Sequence, residues 1–145
     1  MEKINTSMNI ENILYKSYKA FIENASEFNP TIIPSSAKTL SKFPTILVKE
    51  QNNVDNMQYT TLDGTQRVYD ITLVVEIYTQ DKAIGNKKYA SKYIMDELKY
   101  LTFGFFEQLG CQRISCESAE YYNNEVDRLV IIYNFSLNNW NRKIS

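Results

Sequence analysis

Histidine is missing from all 145 residues. That removes the commonest general base at neutral pH, the Ser–His and Cys–His nucleophile pairs, and most zinc and non-haem iron sites. Glycine is scarce. Gly64, Gly85, Gly104 and Gly110 lie too far apart for a P-loop or a dinucleotide fingerprint. There are two cysteines, Cys111 and Cys116. On a regular strand their odd spacing sends them to opposite faces, so neither a local disulfide nor a shared metal is expected. Free thiols in a reducing compartment follow. No run of 18 apolar residues occurs, and Met1–Ile10 lacks the apolar centre of a signal peptide. The expectation is a protein made in the cytosol, with no membrane partner. Charge of one sign is also lacking: 16 basic and 17 acidic residues leave a net −1. A protein whose main work is gripping nucleic acid needs a Lys/Arg excess.

What is present is globular composition, 43% hydrophobic and 23% charged, richer in apolar residues than a disordered chain. A chain of this length buries roughly 68–70% of its unfolded surface, enough for a core without disulfide or metal. One domain is expected over 1–145, its core spanning about 8–138. The tail 139–145 carries the single tryptophan, Trp140.

The spacing of Ile10, Ile13, Leu14, Ser17, Tyr18, Phe21 and Ile22 predicts an amphipathic helix over Met8–Asn24, with Thr6 or Ser7 as N-cap. Phe28–Pro44, with Pro30, Pro34 and Pro44, reads as a long loop in which Ile32 and Ile33 tuck against the core. Thr45–Gln51 reads as a strand. Met57–Leu62 and Gln66–Thr79 flank the turn dipeptide Asp63-Gly64 as hairpin arms. In the second arm Tyr69, Ile71, Leu73, Val75 and Ile77 share one face. Val68, Asp70, Thr72, Val74, Glu76 and Tyr78 make a mixed face in contact with something else.

A turn at Asp81–Gly85 precedes a second helix, expected from about Ile84 or Asn86 to Glu107, with Ala90, Tyr93, Ile94, Leu98, Leu101 and Phe105 as its stripe and Gly110 as its stop. Gln112–Asn138 reads as two strands turning at Asn123-Asn124. Leu129, Ile131, Tyr133, Phe135 and Leu137 lie on the buried side. The fold class expected is α+β: a mainly antiparallel sheet of four to five strands with two amphipathic helices packed on one face.

Tests for chemistry return little. Glu117, Glu120, Glu125 and Asp127, with Glu107 nearby, form a carboxylate group opposed by Arg113. It is open to three readings: a glycosidase or Mg²⁺ site, a solvated hairpin tip, or a surface whose negative charge keeps DNA from sticking. Asp96 and Glu97 are adjacent on a helix and diverge by roughly 100°, so they cannot share one ion. Tyr15, Tyr18 and Tyr121-Tyr122 lack interleaved basic residues and read as core or interface. No enzyme, cofactor or metal is expected. The polar arm Asn52–Arg67, which carries Tyr59, Asp63 and Arg67, and the mixed face of the Val68–Thr79 strand are the surfaces for subunit contacts.

Several runs together resemble a family. They are Phe43-Pro44-Thr45-Ile46-Leu47-Val48-Lys49-Glu50-Gln51-Asn52; the polar hairpin ending in Asp63-Gly64; Val68-Tyr69-Asp70-Ile71 through Glu76-Ile77-Tyr78-Thr79; Lys87-Lys88-Tyr89-Ala90; and Asp127-Arg128-Leu129-Val130-Ile131-Ile132-Tyr133. These resemble the tail terminator proteins of phages with low-GC genomes, and richness in Asn, Ile, Lys and Tyr suits such a genome. The resemblance covers about residues 8–138. It implies an α+β virion subunit, assembled in the host cytoplasm, that forms a six-membered ring on the head-proximal end of the tail tube. The ring stops tube polymerisation and meets the neck or head connector, and in contractile tails or tail-like bacteriocins also the sheath. The family brings no catalytic residues. Glu50, Asn52, Tyr78 and Arg128 match its recurrent positions and, with Tyr59, Asp63 and Arg67, are the expected fold or interface residues. Glu117, Glu120 and Glu125 are the candidates for a lumen past which DNA slides without specific binding. A neck connector or stopper, and a ligand-binding or adaptor domain, are the alternatives.

Overall fold

A computed structural model describes residues 10–34, 42–55, 69–119 and 125–136, without the side chains of 10–12, 50–55, 69–70 and 135–136. The expected first helix is α1, Ile10–Ala25. It buries Ile13, Leu14, Tyr18 and Ile22, a narrower stripe than expected: Ser17 is half-buried and Phe21 exposed. The proposed caps Thr6 and Ser7 lie outside the described residues.

The expected loop over Phe28–Pro44 contains a strand, β1 (Thr31–Ile33), parallel to β2 (Thr45–Asp55). Proline at 30 and 34 hid it. Both prolines flank a three-residue edge strand, where a missing N–H costs little, and Ile32 and Ile33 supply the β-branched content. Asn29, at φ 48°, turns the chain into it, a conformation asparagine tolerates better than most residues.

β2 pairs antiparallel with β3 (Tyr69–Thr79), from Thr45↔Tyr78 to Asp55↔Tyr69, with a register shift between Glu50 and Asn52. β2 is therefore four residues longer than the expected Thr45–Gln51 run. The segment 56–68, with its Asp63-Gly64 turn, lies outside the described residues. β3 buries Ile71, Leu73, Val75 and Ile77 on one side as expected, and Val74, Glu76 and Tyr78 on the other are buried too.

The second helix begins later than expected. Residues Lys82–Ile84 (β4) and Lys87–Tyr89 (β5) form a two-stranded hairpin, and α2 runs Ser91–Gln108. Gly85, at φ +61°, opens the two-residue connection, where a first-position glycine suits the turn. Asp81 accepts the Ser91 N–H at 2.8 Å and so satisfies a donor of the first helical turn from ten residues upstream. The buried face of α2 is Ser91, Ile94, Met95, Leu98, Thr102 and Phe106. Ala90 and Tyr93 are exposed, and Leu101 and Phe105 only half-buried. Apolar spacing alone could not choose between the adjacent rows 101/105 and 102/106. Thr102 enters the core because its hydroxyl donates to Leu98 O at 2.7 Å and also lies 2.7 Å from the Tyr18 hydroxyl.

Gly110, at φ 90°, ends α2 as expected. Its N–H donates to Glu107 O and the Cys111 N–H to Phe106 O, the paired bonds of a Schellman close. β6 (Gln112–Ala119) and β7 (Asp127–Ser136) follow, antiparallel to each other. Among the described residues the main sheet has the order β1-β2-β3-β7-β6, and both helices cover one face. This is the α+β architecture expected. Phe106 sits mid-core, 5.0 Å from Tyr18 and 4.9 Å from Tyr133 between ring centroids.

The cysteines depart from expectation. A register shift between Arg113 and Ser115 puts one extra residue into β6, so Cys116 pairs with Ile131 on the helix-covered side, the same core that buries Cys111. Both are free thiols, and burial pushes the Cys111 pKa up to about 12.

Two glycines separate backbone strain from helix propensity. A methyl group at either Gly85 or Gly104 would meet no atom within 4 Å. Gly104→Ala, inside α2, should therefore stabilise by about 1 kcal/mol. Gly85→Ala should destabilise by about 1 kcal/mol through its left-handed φ. Urea midpoints of the two variants should move in opposite directions.

Candidate functional site

The face of the sheet away from the helices carries the chemistry. Its residues form rows through the register of β2, β3, β7 and β6: Thr45–Tyr78–Arg128–Ala119, then Leu47–Glu76–Val130–Glu117, then Lys49–Val74–Ile132–Ser115. Glu76 stands in the middle row, with its side chain 5% exposed. Arg128 and Lys49 lie on the two diagonals, one from each neighbouring strand. Arg128 Nη2 pairs with Glu76 Oε1, and its Nε donates to the same oxygen at 3.2 Å. Lys49 Nζ reaches Oε2 at 3.4 Å. The Tyr78 hydroxyl donates to Oε1 at 3.1 Å, and the Arg128 guanidinium stands 5.7 Å from the Tyr78 ring centre.

Burial alone would raise the Glu76 pKa. The Arg128 hydrogen bonds and the Lys49 and Arg128 charges outweigh it and hold the carboxyl below its ordinary value of 4.5. In return the Glu76 hydrogen bonds raise the Arg128 pKa, while burial, followed by the Glu76 charge, raises that of Tyr78. Around this group Val74, Val130 and Ile132 complete the lining of a depression of about 410 Å³. One carboxylate faces two cations here, so the group keeps one positive charge in excess inside an aliphatic rim.

Of the residues expected at an interface, Tyr78 and Arg128 meet here. Glu50 and Asn52 lie on β2 at the register shift, opposite Leu73 and Thr72. Tyr59, Asp63 and Arg67 lie outside the described residues, as does Glu120. The remaining carboxylates disperse. Glu117 is exposed on the open face beside Val130, and Glu107 pairs with Arg113 at 3.5 Å. Glu125 and Asp127 line a second depression of about 600 Å³ with Gln80, Asp81, Ser91 and Lys92. Among the described residues no group of three or more Asp, Glu or Cys side chains is placed to hold a metal ion, and no helix is long and apolar enough to cross a membrane.

The sequence reading named neither Glu76 nor Lys49 as a site residue. A lone acid inside Leu73-Val74-Val75-Glu76-Ile77, with an arginine opening the later strand, is the signal that was available. No family model matches this sequence, and no curated protein matches it.

Glu76→Gln should cost about 2–4 kcal/mol, because two cations lose their charged partner in a half-buried setting. The folded pKa of Glu76 lies below its unfolded value, so its contribution is complete above pH 4.5 and fades as pH falls from there through the lower folded value. Urea titrations across pH 3 to 7 should show the native chain losing stability more steeply below pH 4.5 than Glu76→Gln does.

Proposed function

We propose that this chain is a structural subunit of a phage tail or tail-like particle, a terminator that assembles into a ring, six-membered in the family it resembles. The ring seats on the head-proximal end of the tail tube, halts tube growth and offers its far side to the neck or head connector. The observation that carries the reading is the sheet face that bears no helix among the described residues, where an ion cluster lies among Val74, Val130 and Ile132. An aliphatic surface whose buried carboxylate is already held by neighbouring cations suits a subunit contact.

Two further features support it. The two faces of the sheet are unlike, one closed by helices and one bearing no helix among the described residues, and a head-to-tail ring needs unlike surfaces whose rotation closes. The residues that carry the resemblance also include Lys49, Glu76, Tyr78 and Arg128, so the matched runs and the open-face cluster coincide. On this reading the partners are further copies of the chain, the tube protein, the neck or connector protein and, in a contractile particle, the sheath. DNA passes the acidic residues Glu117 and Glu125 without sequence-specific contact.

The test is the mass of the purified chain by light scattering, alone and with its tail tube protein, followed by negative-stain imaging. Rings, or tubes capped at one end, are expected. A chain that stays monomeric and leaves tube length unchanged would overturn the reading in favour of an adaptor or ligand-binding role. Ile132→Glu, which plants a charge on the partly exposed aliphatic rim, should keep a native far-UV spectrum while weakening assembly by at least about tenfold.

A further inference from the structure

The outer side of α2, away from its buried face, carries an aromatic projection. Tyr100 is 65% exposed, and its ring stands edge-on to the half-buried Phe103 ring at 6.0 Å between centres. Lys99 Nζ lies 4.9 Å from the Tyr100 ring centre and 3.6 Å from Asp96 Oδ1. One side chain thus touches both, which puts Tyr100 and Asp96 on a single surface, as a spacing of four on a helix implies. The Asp96 side chain is 64% exposed. Beyond Phe103 the surface ends in Arg113, whose guanidinium stands 3.8 Å from the Phe103 ring centre while its Nε lies 3.5 Å from Glu107 Oε1.

The depression of about 410 Å³ lies on the other side of the same strands. α2 covers β3 and β7 from one face, with Phe106 against Tyr133, and Val74, Val130 and Ile132 line the hollow from the opposite face. The chain therefore has a projecting ring on its back and an aliphatic hollow on its front, the unlike pair that a head-to-tail contact uses. Their charges also match. Lys49 and Arg128, with side chains 37% and 30% exposed, bring two positive charges to the one carboxylate of Glu76, and the exposed acid beside Tyr100 is Asp96.

We propose that Tyr100 of one copy enters the depression of the next, with Asp96 at the rim beside Lys49 and Arg128. The inference rests on the reading that the sheet face without a helix is a contact between copies, and it names the surface of the neighbour that fills it. A tyrosine suits the hollow, because its ring covers Val130 and Ile132, its hydroxyl stays on the polar side, and a cation near its face adds attraction. The same face of a second copy fits less well, since it would set Lys49 and Arg128 against their own counterparts. Each copy uses both surfaces once, so a rotation that closes makes a ring.

The test uses the full chain and two variants that each spoil one surface. Tyr100→Glu should weaken self-association, read by light scattering, at least about tenfold, as Ile132→Glu should, with a native far-UV spectrum in both. Mixed in equal amounts, the two retain one sound contact, between α2 of the Ile132→Glu chain and the depression of the Tyr100→Glu chain. The mass should then rise to that of two chains and stop. A weaker pair is caught by mixing Tyr100→Cys with Ile132→Cys under mild oxidation, which should give a covalent dimer that neither variant gives alone. Asp96→Lys should weaken self-association about tenfold, and Lys88→Gln on the β4–β5 hairpin should leave it unchanged. Rings from Tyr100→Glu equal to those of the native chain would overturn the inference and leave the ring reading standing. So would a mixture that yields neither the two-chain mass nor the cross-link, or a cross-link from one variant alone, the mark of a symmetric pair. A native chain that stays monomeric with and without its tube protein removes the ring reading itself, and this inference with it.

Discussion

One buried carboxylate constrains the whole sheet. Glu76 lies on the central strand, paired on one side with β2 and on the other with β7, and its two cations come one from each neighbour. Taking a carboxylate this far from water costs several kcal/mol, which only well-placed partners offset. Those partners are in place only in the native register of three strands. A slip of one residue would turn Glu76 into the helix-covered core beside Ile131, away from Lys49 and Arg128, and would turn Val75 and Ile77 out of it. The aliphatic face of β3 draws the strand into the core, and Glu76 decides which way up and in which register it lies.

That division explains what was legible in the sequence. α1, the alternation of β3 and the strands of the last hairpin were readable because their periodicity is strong and one face is uniformly apolar. β1 was not, because three residues between two prolines carry no period. The second strand of the β4–β5 hairpin reads as the start of a helix, because Lys87 and Lys88 suit a solvated helical face as well as an exposed strand. The deciding signals were Gly85 and the carboxylate of Asp81, which acts on Ser91 across a distance no local pattern contains. The helix rotation and the shared side of the cysteines failed for related reasons. A Tyr18–Thr102 hydroxyl contact and a strand bulge each shift a face by one residue, and both are made by tertiary structure. At the site, Tyr78 and Arg128 were singled out through the family-like runs, whereas Glu76, though inside the same run, was not, because pattern reading places an acid on a mixed face in solvent.

The two charged regions differ in kind. On the helix-free face two cations share one buried carboxylate, so a single positive charge is left over among aliphatic side chains. On the β4–β5 hairpin, Lys87 lies beside the Tyr89 ring and, among the described residues, has no carboxylate within ion-pair distance. A net charge of −1 is the sum of such unlike local fields and describes neither.

The proposed contact also has a definite energetic direction. Covering the open face would remove Val130 and Ile132 from water and would lower the local dielectric around Glu76, Lys49 and Arg128. The first change is favourable in proportion to area. The second desolvates two cations that are still 37% and 30% exposed, but it also strengthens their attraction to a carboxylate that is already buried. In the chain alone Glu76 has already borne most of its own desolvation, so a covering partner would meet a smaller polar penalty than an unpaired surface charge would impose. The charge that constrains register would then oppose such a contact only weakly, and the aliphatic rim would decide the outcome.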